Sequence, residues 1–420
     1  MNIVFGVIIG FFILMALVVA HEFGHFIAAR RNGVEVEEFG IGFPPRAISW
    51  VKNPEYIKWK EGKKAGKKLD KSKKPQKWLR LPKSEWQKPQ KTLVFSINWL
   101  PIGGFCQMKG ESDSDKRPHS FGSASLWQKT KILFAGVTMN WLVAFLILTI
   151  LAWTGMPEFM DNQFHMPGDT YVNSSIVTIR EIMEDSPAAH SNLKANDQIV
   201  KVGDTEVITS SDIFDYNHDH AGQTVTYEVI SEGETEPHFV DITLNDSSSE
   251  YRLGVYLAQS NTPTYHSTWS APIVGAVSTV QLTGETYRGL YEMLKSLFSG
   301  IIKQFNTDES IRSEGQSEIK FVGDSVSGPV GIIGILFPKS FESGPTTLAF
   351  LAALISISLA CMNVLPIPAL DGGRFIMIAF YRLRGKVLTK EKEERLVSRT
   401  FVFLLILIAV ITVLDILRFF

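Results

Sequence analysis

Residues His21-Glu22-Phe23-Gly24-His25 form an H-E-x-x-H pattern. In an α-helix, positions four apart share a face, so both imidazoles reach one metal ion. A glutamate beside them is placed to take a proton from an attacking water. From background frequencies the pattern arises by chance in roughly one chain of this length in a hundred. Here it follows directly on the apolar run Ile3 to Ala20. Ionisable side chains at membrane depth are costly and are usually functional.

Two histidines do not complete a catalytic zinc site, which takes three protein ligands and leaves a position for water. The candidate for the third ligand is Asp371, in Asn363-Val364-Leu365-Pro366-Ile367-Pro368-Ala369-Leu370-Asp371-Gly372-Gly373-Arg374. Two prolines prevent regular helix just before it. Gly372 and Gly373 permit tight turning and close helix approach.

These residues need elements to position them. The chain has 420 residues, 45% of them hydrophobic, with a formal net charge of -1. Mean hydropathy is +0.08, and the apolar residues are gathered in long runs, which excludes a single ordinary soluble globule. Only Cys106 and Cys361 occur, which excludes a disulfide scaffold and a cysteine-rich metal site. Four runs are long enough, or nearly so, to span a bilayer: Ile3 to Ala20, Ile132 to Trp153, Leu348 to Leu365 and Phe401 to Leu417. The first is read as a span rather than a cleaved signal, because His-Glu follows it where small residues would be expected. Ala271 to Leu282 reads as too short and polar to span, and Tyr287 to Phe305 as an amphipathic helix on the membrane or bundle.

Arg30 and Arg31 follow the first run, Lys129 and Lys131 precede the second, and Arg382, Arg384, Lys386, Lys390, Lys392, Arg395 and Arg399 lie between the third and fourth. The positive-inside rule puts those loops in the cytoplasm, with both termini and about residues 155–347 outside. His21, His25 and Asp371 then all fall near the cytoplasmic ends of their spans. Val34 to Trp50 and Leu93 to Met108 read as short strands or a curved hairpin. The insert between them carries Lys63, Lys64, Lys67, Lys68, Lys71, Lys73, Lys74 and Lys77. It reads first as a solvated loop, second as a contact for anionic lipid. No fold signature supports a nucleic-acid partner.

The paired H-E-F-G-H and N-x-x-P-x-P-x-L-D-G-G-R motifs resemble the site-2 protease family of intramembrane zinc metalloproteases, within it the regulators of sigma factor. Leu100-Pro101-Ile102-Gly103-Gly104-Phe105 resembles the family's membrane-associated β-loop. Ser327-Gly328-Pro329-Val330-Gly331-Ile332 resembles a further family element. The resemblance implies His21, His25 and Asp371 as Zn2+ ligands, Glu22 as general base and Asn363 as a substrate-holding residue. It implies single-pass transmembrane substrates, such as anti-sigma factors already trimmed outside, or remnant signal peptides.

Residues 186–202 resemble the S-P-A-A-x-x-x-G-L-x-x-G-D-x-I-x-x-V signature of bacterial PDZ domains, with Asn192 and Asn196 where glycine is usual. Asparagine best replaces glycine at positive φ. Strands are expected at Ser175 to Ile182, Thr224 to Ile230 and Phe239 to Leu244. Such a domain captures extended peptide or only blocks access.

The expected architecture is a polytopic α-helical membrane protein with four transmembrane helices, a membrane-associated β-loop region and an extracytoplasmic α+β PDZ domain. Its segments are a first span (1–31), a β-hairpin with the Lys-rich insert (32–128), a second span (129–155) and the PDZ domain (166–260). An amphipathic linker (261–346), a third span carrying L-D-G-G-R (347–380), a basic loop (381–400) and a fourth span (401–420) complete it. A transporter using the same residues would carry inverted repeats, which the sequence lacks. A catalytically dead scaffold would not need Glu22.

Overall fold

The computed structural model describes residues 2–65, 74–86, 92–160, 162–231, 234, 236–246, 249, 251–325 and 328–419. Contacts divide the chain into two units, Met1–Leu151 with Gly275–Phe420, and Ala152–Val274.

The larger unit opens with helix α1 (Asn2–Arg31), uncharged until its last three turns, where the H-E-x-x-H residues fall. Strand β1 (Val36–Lys52), helix α2 (Pro54–Lys64), strand β2 (Trp78–Arg80) and strand β3 (Val94–Met108) follow. β1 and β3 are long enough to bend, and each contributes two arms to one sheet. Phe39 pairs with both Cys106 and Phe95, while Trp50 pairs with Phe95 from the other side. Arm Gly104–Met108 therefore lies at the sheet's margin, and among the described residues no strand pairs with its outer edge. Glycines bring this arm against α1. A Cβ on Gly103 would stand 3.1 Å from Val18, and one on Gly104 3.2 Å from Val19. Phe26 of α1 meets Phe39 at 5.4 Å and Phe95 at 5.7 Å, which joins helix and sheet through an apolar core. Such aromatic pairs add about 0.5–1.5 kcal/mol each beyond their buried area.

The described part of the Lys-rich insert holds a helix and a short strand where a loop was expected. Asn53 caps α2, accepting the Glu55 N–H at 2.9 Å, and Pro54 is preorganised for the first turn. Lys74 lies 5.8 Å from the Trp59 ring. Lys67, Lys68, Lys71 and Lys73 lie outside the described residues, as does Ser327.

Helix α3 (Leu126–Thr154) leads to the smaller unit. That unit holds strands β4 (Met156–Pro157), β5 (Thr170–Ile182), β6 (Gln198–Val202) and β7 (Thr205–Glu206), helix α4 (Ser210–Asp219), and strands β8 (Thr224–Ile230), β9 (His238–Thr243) and β10 (Val255–His266). The sheet order is β4-β10-β5-β6-β8-β9, with β7 on β6. Its core gathers the inward residues of alternating strands, Ile179, Ile199, Tyr227 and Val229 among them. The Ser-Pro-Ala-Ala turn is tied down by Ser186, whose hydroxyl donates to the Met183 carbonyl at 2.7 Å. Asn196 takes φ +72°, as its place in a glycine position predicts; Asn192 is not among the positive-φ residues.

The larger unit resumes with α5 (Ala271–Gln304) and α6 (Glu309–Ser325). α5 is one continuous helix where two separate stretches were expected. Its polar residues do not break it, because Thr279, Thr283 and Thr286 each donate to the carbonyl four residues back. A short helix α7 (Pro329–Gly331), a π turn (Ile332–Leu336) and α8 (Phe337–Glu342) pack on α1, where Gly6 and Gly10 admit Pro338 and Phe337. The Gly331 N–H donates to Asp415 at 2.9 Å. Helices α9 (Pro345–Val364), α10 (Asp371–Leu383) and α11 (Lys390–Phe419) close the chain.

Two boundaries differ from expectation. The third span does not run through residue 380: α9 ends at Val364, Leu365 is extended, and the chain restarts as α10 at Asp371. Pro366 and Pro368 remove two donors and bias the residues before them away from helix. The basic loop 381–400 is also shorter than expected, because α11 begins at Lys390, with Glu391 and Glu393 favourable in its first turn. The helical segments Ile3–Arg31, Leu126–Thr154, Pro345–Val364 and Lys390–Val413 are each long and apolar enough to cross a membrane.

Candidate metal centre

His21 and His25 lie on the buried face of α1, 8% and 6% exposed. Gly24, between them, lets α1 approach α3 closely: a Cβ there would meet the Ala135 carbonyl at 2.3 Å. α3 answers with Gly136, where a Cβ would stand 2.6 Å from Nε2 of both histidines. The two glycines thus clear the space into which the imidazoles point.

Asp371 reaches the same space from α10. The turn before it is so tight that a Cβ on Gly372 would collide with the Val364 carbonyl and one on Gly373 with the Ile367 carbonyl. Behind Asp371, Arg374 donates to Glu393 of α11 at 3.0 Å and to the Glu111 carbonyl at 2.6 Å, and stacks over Phe121. Further along α10, Arg382 donates to the fully buried Asp113 at 3.0 Å. Asp113 also pairs with the buried Lys129 of α3. Burial alone would raise the Asp113 pKa, but the hydrogen bonds and charges of Lys129 and Arg382 prevail and hold its carboxyl below the usual carboxylate range. These pairs fasten α10 to α3, α11 and the loop after β3.

The result is a triangle of donor atoms. His21 Nε2 lies 3.0 Å from Asp371 Oδ2, His25 Nε2 lies 3.2 Å from the same oxygen, and the two Nε2 atoms are 3.1 Å apart. Ligands bound to zinc at about 2.0–2.1 Å in tetrahedral geometry stand about 3.3 Å from one another. The donor set, two imidazoles and a carboxylate, is one that zinc takes. His25 donates from Nδ1 to the Ile132 carbonyl at 2.8 Å, which leaves its Nε2 lone pair free for a metal.

Glu22 is partly buried beside the histidines, and ligand atoms of His21, Glu22 and His25 lie within 4.8 Å of one another. The Cys106 backbone lies close to the Glu22 carboxylate, which brings the β3 arm to the site. Asn363 is placed differently. Its side chain donates to the Leu359 carbonyl of its own helix at 2.9 Å. Sequence reasoning missed Gly136, Asn140 and Asp113, and gave Arg374 of the quoted motif no role of its own. Asn140 places Nδ2 3.4 Å from His21 Nδ1. Gly136 and Asn140 are four apart on α3, as His21 and His25 are on α1, and that spacing was the available signal.

The sequence profile of peptidase family M50 matches residues 9–57 and 79–408. The chain belongs to this family, the site-2 proteases, and is a membrane-embedded zinc metalloprotease. Among its relatives is the regulator of sigma-W protease RasP of Bacillus subtilis, 27% identical over 98% of this chain and 99% of that protein. Another is the zinc metalloprotease RasP of Geobacillus kaustophilus, 26% identical over 98% of both. A PDZ domain of an SdrC-like protein from Listeria monocytogenes is similar in structure, with 27% identity, a TM-score of 0.18, and 20% of this chain and 86% of that one covered.

Proposed function

We propose that His21, His25 and Asp371 hold the zinc of this protease and that Glu22 is its general base. The observation that carries the reading is the donor triangle, with edges of 3.0, 3.1 and 3.2 Å, assembled from two helices far apart in sequence. Zinc bound there supplies Lewis-acid polarisation of the scissile carbonyl and acidifies water. Glu22 accepts the proton of the attacking water and delivers it to the leaving amine.

A transmembrane substrate helix has its carbonyls tied up in its own backbone bonds and must unwind before water attacks. The open edge of Gly104–Met108 runs past Glu22, so an opened segment adding to it as a strand is held where the base acts. Asn363, once released from Leu359, bonds the freed backbone. The substrates are single-pass membrane proteins, such as anti-sigma factors already trimmed outside, or remnant signal peptides.

The smaller unit is a PDZ domain on the outer side of the membrane, with both termini, while the zinc site lies toward the cytoplasm. The Arg and Lys flanking the spans support this orientation. In the smaller unit, no strand pairs with the outer edge of Val255–Ala258 of β10 among the described residues, and α4 packs beside that strand, Ser210 bonding Gln259. Exposed Phe214 and Tyr256 mark the same region. An extended peptide fits such an edge, and the domain filters substrates. The described part of the Lys-rich insert touches anionic inner-leaflet lipid.

The test is purification of the full chain in detergent, with metal analysis and cleavage of a synthetic transmembrane peptide. Stoichiometric zinc with chelator-sensitive cleavage is expected. Cleavage that survives loss of zinc, or that continues in His21→Ala, contradicts the ligand assignment.

A further inference from the structure

The geometry points to Asn140 as the positioning residue that sets the ring of His21 for the metal; the inference rests on the ligand reading above. Asn140 is fully buried on α3, one turn beyond Gly136. Its backbone carbonyl accepts the Ser356 hydroxyl of α9 at 2.8 Å, which fixes that turn of α3 over His21. Its Nδ2 lies 3.4 Å from His21 Nδ1, and its Oδ1 has no hydrogen-bond partner.

A neutral imidazole carries one proton, and where it sits decides what the ring can bind. With the Asn140 amide donating to Nδ1, the proton of His21 is on Nε2, from which it is donated to Asp371 Oδ2 at 3.0 Å. That is the arrangement of a metal-free ring. A ring that gives its Nε2 lone pair to zinc carries the proton on Nδ1, and Nδ1–H needs an acceptor. The unfilled acceptor beside it is Asn140 Oδ1. Oxygen and nitrogen of a carboxamide have nearly the same shape, and the terminal torsion is broad and two-fold, so half a turn exchanges them. In the orientation present Oδ1 is the atom without a partner, so a proton on His21 Nδ1 gives it one.

The two histidines are therefore held differently. His25 donates to the Ile132 backbone carbonyl, an acceptor that cannot turn, so its tautomer is fixed in advance. His21 relies on a side chain that serves as donor to the empty ring and acceptor to the loaded one. Removing that acceptor lowers metal affinity by about 10–100-fold, the usual cost of losing a partner behind a ligand.

The experiment measures zinc affinity by chelator competition, and the visible absorption of the cobalt-substituted site, on the full chain in detergent. The proteins compared are wild type, Asn140→Leu, Asn140→Ala, Asn140→Asp and His21→Ala. Leucine and alanine are expected to weaken zinc about 10–100-fold and to alter the cobalt spectrum. Aspartate, which keeps an acceptor of the same shape, is expected to restore both. Should the leucine protein not fold, alanine against aspartate carries the same comparison. Wild-type affinity and spectrum in the acceptor-less variant, or an aspartate variant no better than alanine, overturns the role of Asn140. Full zinc retention in His21→Ala instead overturns the ligand reading itself, and this inference with it.

Discussion

His21 and Asp371 are 350 residues apart in the chain, and their side chains meet at 3.0 Å. Neither is useful without the other: a histidine pair on one helix leaves a zinc site open on too many sides, and a lone aspartate after a Pro-rich turn is only the start of a helix. The meeting depends on groups outside the triangle. Gly24 and Gly136 let α1 and α3 close up, and the Arg374–Glu393 and Arg382–Asp113 pairs hold α10 in place.

Glu22→Gln should keep zinc near wild-type stoichiometry and lose about 10²–10⁴-fold in peptide cleavage, because the amide has the shape of the acid but accepts no proton. Single-turnover cleavage of a transmembrane peptide, with zinc quantified on the same sample, checks it. Wild-type cleavage by the Gln enzyme would mean that another group is the base.

Gly136→Ala adds a Cβ 2.6 Å from Nε2 of both His21 and His25. The imidazoles must give way, so zinc occupancy and activity should both fall sharply while the protein still inserts and purifies. Chelator competition on the purified variant is the measurement. Unchanged zinc affinity would show that the helices separate at no cost to the site.

Much of this was legible in the sequence, and the reasons for the remainder are physical. The H-E-x-x-H spacing is a property of one helix, so it brings two imidazoles to one face without knowledge of the fold. Asp371 was legible because two prolines and two glycines confine the backbone around it. Asn196 at φ +72° was legible because only a few residue types tolerate that region. Gly136, Asn140 and Asp113 were not, because their roles arise from what packs against them across the bundle. The break between α9 and α10 was signalled by Pro366 and Pro368, although the expected third span still ran on to residue 380. The continuity of α5 was hidden because its threonines satisfy themselves within the helix, which composition cannot show.

Asp113→Asn should destabilise the protein by about 3–5 kcal/mol, since it leaves Lys129 buried without its counter-charge. The depressed pKa of Asp113 sets the sign of the acid dependence. Its contribution is present above the ordinary carboxylate value of 3.8 and is lost as pH falls through the lower folded-state value. Thermal unfolding in detergent across the acid range should show wild type losing stability in that window and the Asp113→Asn protein losing less. Parallel curves for the two proteins would place the acid-sensitive group elsewhere.

Deleting residues 166–260 should leave cleavage of a short, tail-less transmembrane substrate intact and permit cleavage of an untrimmed substrate that the full chain rejects. Both substrates are compared with both enzymes in membranes. Loss of the short-substrate reaction in a deletion that still binds zinc would favour delivery by peptide capture over exclusion.

The most direct test of the zinc assignment is X-ray absorption at the zinc edge, on the purified wild type and on Asp371→Ala. The wild type should show two imidazoles and a carboxylate oxygen at about 2.0–2.1 Å. The variant should lose most of its zinc, with Asp371→Asn intermediate because the ligand loses its charge. A sulfur shell at about 2.3 Å, which would bring in the buried Cys106 beside Glu22, or full occupancy in Asp371→Ala, would contradict a site built from His21, His25 and Asp371.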